Sequence, residues 1–151
     1  MIRTISRIAS AVVCAVVLGC AAMPPAGPPG PAADGLATGV LEKLVSAYER
    51  RDVPEFMTLV SARYTGGYGD LQEALDAALE NAASIELTVK PERIWETEDG
   101  VVFMDVGWAK TVTRKNAPEN EITFGTATLV FIRYNATVLK LFSQNGNPVF
   151  P

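Results

Sequence analysis

The sequence predicts an α+β domain in which three helices precede and cover a four-stranded antiparallel meander. Three observations predict it. From Val40 to Ala82 the apolar residues recur at intervals of three and four, the spacing of one helix face. After Ser84 the period drops to two, the alternation of half-buried strands. The strand segments are joined by short turns, so neighbours pair antiparallel. A sheet of this kind needs one face covered, and the helices are the available cover.

The first helix is expected from Val40, with Leu41, Leu44, Val45 and Tyr48 on its apolar side. Arg50 and Arg51 follow, where positive charge complements a helix C-terminus. A short second helix opens on Asp52-x-x-Glu55, a capping-box spacing, with Pro54 in the first turn where its missing N–H is harmless. "TGGYG", Thr65 to Gly69, is a glycine-rich connector without the lysine of a phosphate-binding loop. A third helix is expected from a second such spacing, Asp70-x-x-Glu73, with Leu71, Ala74, Leu75, Ala78, Leu79 and Ala82 along its buried stripe.

Strand one runs from Ile85 to Trp95, and Pro91 marks an edge position or a bulge. Asp99-Gly100 supplies a hairpin turn. Strand two is Val101 to Lys115, strand three Glu121 to Tyr134 and strand four Thr137 to Gln144. Along strand two, Val102, Met104, Val106 and Trp108 share one face, expected to line the core. Val101, Phe103, Asp105, Gly107 and Ala109 share the other.

The chain ahead of this domain has a different character. "MIRTISR" carries Arg3 and Arg7, and "IASAVVCAVVL", Ile8 to Leu18, carries no charge. A basic start and a short apolar run form a secretory signal. The run falls short of the roughly 20 residues that span a bilayer. "VLGC", Val17 to Cys20, resembles the bacterial lipobox. That resemblance implies lipidation of Cys20 and removal of residues 1–19. It makes Cys20 the acylated first residue and the membrane its first partner, because several acyl chains on one residue hold a protein to a bilayer where one does not. Ala21 follows in place of an aspartate, which implies sorting to the outer membrane of the cell envelope. Residues 20–39 read as the lipidated cysteine and its linker. Met23 to Gly39 contains five of the ten prolines and four of the twelve glycines. Residues 40–151 are the domain.

Composition excludes several functions. Removing residues 1–19 leaves 11 basic and 17 acidic residues, a net charge of −6, which is unsuited to nucleic acid. The chain has no histidine, and its two cysteines are Cys14 in the signal and Cys20. No disulfide, thiol nucleophile, Ser-His-Asp chemistry or common zinc site is expected, and no cofactor. The acidic "ETED", Glu96 to Asp99, lacks calcium-loop spacing and reads as a solvated hairpin tip.

"LEKLVSAYERRDVPEFMTLVSARY" followed by "DGVVFMDVGWAKTV" is similar to the nuclear transport factor 2-like superfamily, also called cystatin-like or polyketide cyclase-like. The resemblance covers residues 40 to 144. It implies a cone-shaped, strongly curved sheet around the first helix, with an apolar pocket between them. Functions in the superfamily range over isomerases, dehydratases, cyclases, binding modules and dimerisation modules. Enzymatic members use an Asp base in such a pocket, and Asp105 is the candidate catalytic residue here. The dehydratase members pair Asp with His, which this chain lacks. Tyr48, Tyr64, Met104, Trp108 and Tyr134 are candidate ligand-binding residues. The expectation is a membrane-anchored, non-catalytic module for a small apolar ligand or a partner protein. The alternatives are a small isomerase or lyase using Asp105, and an interaction module. The latter would be a homodimer or an envelope-protein complex formed through the sheet face from Ile122 to Ile132.

Overall fold

The computed structural model describes residues 31–151 apart from Pro118. The expected signal, Cys20 and the first part of the expected linker lie outside the described residues. Three helices are followed by four strands paired in the order β1-β2-β3-β4, the expected α+β meander.

Helix α1 spans Pro31–Glu49, so it begins nine residues before the expected Val40. Nine residues of the expected linker are therefore helix. Its buried stripe is Ala33, Ala37, Leu41, Leu44 and Tyr48, spaced by three and four. Gly35 and Gly39 each cost about 1 kcal/mol of helix propensity and hid the pattern. The helix persists because its whole buried stripe, Leu41, Leu44 and Tyr48 included, packs into the core. Pro31 stands at the first position, where proline is tolerated.

The chain then turns through Arg51, whose φ is +59°, into helix α2, Val53–Thr58. The Asp52 side chain accepts from the Glu55 N–H at 3.0 Å, as the capping spacing predicts. Arg50 pairs with Glu55, and Arg51 donates to the Ala82 carbonyl at 2.7 Å. These arginines thus tie elements together instead of capping α1, which ends before them. Helix α3, Tyr68–Glu80, starts two residues ahead of Asp70, after Gly67 and without a side-chain cap. The second capping box is therefore absent, and Asp70 lies in the first turn. Leu71, Leu75 and Leu79 are its buried residues.

Strands β1 (Ala82–Glu96), β2 (Val102–Arg114), β3 (Asn120–Asn135) and β4 (Val138–Gly146) complete the domain. The register slips at Pro91/Arg93 on edge strand β1 and at Val130/Phe131 between β3 and β4. Bulges bend a strand and increase its twist. The bend is visible in what α1 touches: β1, β2 and β4. The outer strands of a flat four-stranded sheet lie about 14 Å apart, and a helix with its side chains is about 10–12 Å across. One helix meets both edges because the sheet curls around it.

The core fills this concave side. Val102, Met104, Val106 and Trp108 of β2 are buried, opposite Phe131, Leu129, Ala127 and Gly125 of β3. The free edge of β4 is covered by the chain after α2, with Ser61 N–H donating to Leu141 O at 2.8 Å and Leu141 N–H to Leu59 O at 2.9 Å. At the other edge, the Glu49 carboxylate accepts from the Leu87 N–H at 2.8 Å. The β4 edge is thereby closed around Leu141, while on the β1 edge one N–H is occupied.

Candidate binding site

The inner face of β2 continues past Trp108 to Lys110, a cation on the core side of the sheet. Above it stand Tyr48 from α1 and Phe56 from α2. Into this end of the cone folds the segment Asn147–Pro151, which follows β4. Val149 and Phe150 are fully buried, while Asn147, Pro148 and Pro151 are exposed. The Phe150 ring meets Phe56 edge-on at 4.9 Å and Tyr48 at 5.4 Å between centroids, within the favourable range for aromatic pairs.

Side chains hold the main chain of this segment. Trp108 Nε1 donates to Asn147 O at 3.0 Å, and Lys110 Nζ to Val149 O at 3.2 Å. Gln144 Oε1 accepts from both Val149 N–H and Phe150 N–H at 3.1 Å. Two successive N–H groups reach one oxygen because the segment is bent; along a strand they would point to opposite sides. The Gln144 amide is itself fixed by Tyr64, its Nε2 donating to the Tyr64 hydroxyl at 3.0 Å. Asn147 N–H donates to Thr126 O at 3.1 Å.

Two glycines make room for this arrangement. Gly146 has φ +94°, a conformation L side chains rarely adopt, and a Cβ there would lie 3.0 Å from Thr126 O. It turns the chain off β4 and back towards the cone. Gly125 faces Trp108 across the β2–β3 pair. A Cβ on it would lie 2.8 Å from Asn147 Cβ and 3.0 Å from Trp108 Cζ2.

The electrostatics follow from burial. Burial pushes the Tyr48 phenol up to about 12. It pushes the Lys110 ammonium below its ordinary value, against the attraction of Glu121. Lys110 Nζ stands 5.4 Å from the Trp108 ring centre and 5.6 Å from that of Tyr48, within cation–π range of both.

Of the ligand-binding candidates, Tyr48, Met104 and Trp108 are buried in the interior, and Tyr64 joins them through Gln144. Tyr134 does not. It is 73 % exposed, with Lys140 Nζ 4.8 Å over its ring. Asp105 lies on the outer face, as strand parity predicts. Its Oδ1 accepts from the Thr128 hydroxyl at 2.6 Å, beside a groove of about 420 Å³ shared with Glu92, Thr126 and Asn145. A larger surface groove, about 790 Å³, runs past Arg50, Arg51, Asp76, Glu80 and Lys115. Its cations are engaged: Arg50 with Glu55, Arg51 with Ala82 O, and Lys115 with Glu80 O.

Lys110, Gln144, Val149 and Phe150 were not among the sequence candidates. Lys110 carried a signal, a charge on the apolar parity of β2. "NPVFP" carried none, because its two buried residues lie in an irregular stretch without periodicity.

No protein-family model and no curated protein matches this chain. Its similarity is to solved structures. A conserved protein from Planctomyces limnophilus shares 16 % identity at TM-score 0.67, over 74 % of this chain and 91 % of that one. A nuclear transport factor 2-like superfamily protein from Salmonella enterica shares 12 % identity at TM-score 0.66, over 76 % and 89 %. The fold is that of the nuclear transport factor 2-like proteins. A hexachlorocyclohexane dehydrochlorinase has it too, at 11 % identity and TM-score 0.62, over 76 % of this chain and 84 % of that one. The resemblance implied an apolar pocket between helix and sheet. In this domain, Val149 and Phe150 occupy that space.

Proposed function

We propose that this chain is a non-catalytic binding module, tethered to a bacterial cell envelope through lipidated Cys20, whose binding site is the cone interior. One observation carries the binding reading: Trp108, Lys110 and Gln144 converge on the main-chain groups of a seated segment. Their hydrogen bonds hold and orient a guest. A base for proton abstraction would have to face the same interior, and Asp105 is on the opposite side of the sheet.

The anchoring part rests on the basic start, the apolar run and "VLGC". With α1 starting at Pro31, ten residues separate Cys20 from the domain. A proline-rich tether of that length reaches roughly 30 Å, so the module would be held close to the bilayer.

The test is a thermal-shift and native mass spectrometry screen of the purified domain against apolar carbonyl and amide compounds, with turnover followed in parallel. The reading expects stabilising ligands, no product, and loss of binding in Lys110→Met. Turnover abolished by Asp105→Asn would overturn it. In cells, Cys20→Ser is expected to lose acyl labelling and membrane retention. Retention of both would overturn the anchor.

A further inference from the structure

We infer that Asn147–Pro151 is an exchangeable self-ligand, and that the cone interior is a receptor for short, bent peptides carrying one aromatic side chain. This rests on the proposed binding site and names the chemistry of its guest.

The segment is bound in the manner of a peptide. Four side-chain contacts read its backbone: Trp108 on Asn147 O, Lys110 on Val149 O, and Gln144 on the Val149 and Phe150 N–H groups. Backbone reading is indifferent to which chain supplies the backbone. Sequence is read at two positions only, the buried Val149 and the Phe150 ring between Tyr48 and Phe56. Pro148 has no N–H, and the residue that precedes a proline is held away from the helical region. Asn147 and Phe150 both precede prolines, so a peptide of this sequence loses less conformational freedom on binding.

The segment is also placed to leave. Asn147, Pro148 and Pro151 are exposed on either side of the buried pair. One main-chain bond among the described residues, Asn147 N–H to Thr126 O, ties it to the sheet, and β4 ends at Gly146. The sheet and helices keep their own hydrogen bonds without it. Linkage to β4 gives the segment an effective concentration of about millimolar, so it outcompetes a free peptide until its own contacts are weakened.

The experiment weakens the resident copy and offers a replacement. Full-length mature chain carrying Phe150→Ala is titrated with acetyl-Asn-Gly-Asn-Pro-Val-Phe-Pro, followed by calorimetry and thermal unfolding. Loss of a buried phenyl weakens the resident copy on the order of a hundred- to a thousandfold. The expected result is saturable binding with a rise in Tm of several degrees. Wild type should bind at least about tenfold more weakly, and the peptide with Ala for Phe should not bind. Val149→Ala, a milder change, carries the same test should Phe150→Ala not fold. Absence of binding to the folded variants overturns the inference, as does equal binding of the Ala peptide or equal binding to wild type. If an apolar non-peptide ligand stabilises Phe150→Ala while the peptide does not, the binding-module reading stands and the peptide inference falls. If neither binds, both fall.

Discussion

The side-chain oxygen of Gln144 accepts the Phe150 N–H at 3.1 Å and so fixes the one aromatic residue that β4 hands back to the cone. The same oxygen takes the Val149 N–H. Gln144→Leu leaves two N–H groups of fully buried residues without acceptors. Each such group costs about 1–3 kcal/mol. We predict a loss of roughly 2–4 kcal/mol by urea denaturation and a freed Tyr64 hydroxyl. A loss below about 1 kcal/mol would show that the segment is held by Phe150 alone.

Gly146 is predicted to tolerate no side chain. Its φ of +94° and the 3.0 Å approach of a Cβ to Thr126 O make Gly146→Ala strained in both conformation and space. A cost of about 1–3 kcal/mol is expected, measured by chemical denaturation. Gly35→Ala, in α1 with nothing within 4 Å of a Cβ, should instead stabilise by about 0.4–1 kcal/mol.

Alkaline pH separates Tyr48 from Lys110. Tyr48 keeps its proton to about 12 when folded, against an ordinary 10.0. Its contribution is fully present below pH 10 and is lost as pH rises from 10 to 12. Two units correspond to roughly 3 kcal/mol at most. Lys110 is shifted the other way, below its ordinary 10.5. Folding is helped as pH climbs through its lowered pKa, because the folded chain sheds that proton first. Stability is therefore expected to hold or rise slightly approaching pH 10 and then fall. Tyr48→Phe should remove the fall, and Lys110→Met the earlier rise. Denaturation midpoints between pH 8 and 12 check both.

Asp105 provides the contrast. It lies outside the cone with a single Thr128 partner, and its amide analogue still accepts that bond. Asp105→Asn is predicted to change stability by less than about 1 kcal/mol and ligand binding not at all, measured by denaturation and calorimetry. Loss of binding would place the site on the outer face.

Much of this was legible in the sequence because it is periodic. The alternation of Val102, Met104, Val106 and Trp108 against Asp105 assigned both faces of β2 without coordinates. Asp99-Gly100 and Pro91 located a hairpin and a bulge. The start of α1 was not legible: Gly35, Gly39 and the neighbouring prolines have linker composition, and the burial of Ala33 and Ala37 arises only when the sheet closes over them. The occupant of the site was hidden for a similar reason. Val149 and Phe150 are buried by contacts with Tyr48, Phe56 and Gln144, residues distant in sequence. Tyr134 was grouped with the pocket by residue type, yet its place near the end of β3 leaves it in solvent.

Amide hydrogen exchange in the wild-type chain tests the central claim most directly. If Asn147–Pro151 is a guest of the cone, the Val149 and Phe150 amides open without global unfolding. They should exchange at least about a hundredfold faster than those of Met104 and Leu129, and faster still when the competing peptide is in excess, because it holds the resident segment out of the cone. Exchange of all four amides at one common rate, set by global unfolding, would make the segment a fixed part of the core and contradict the account.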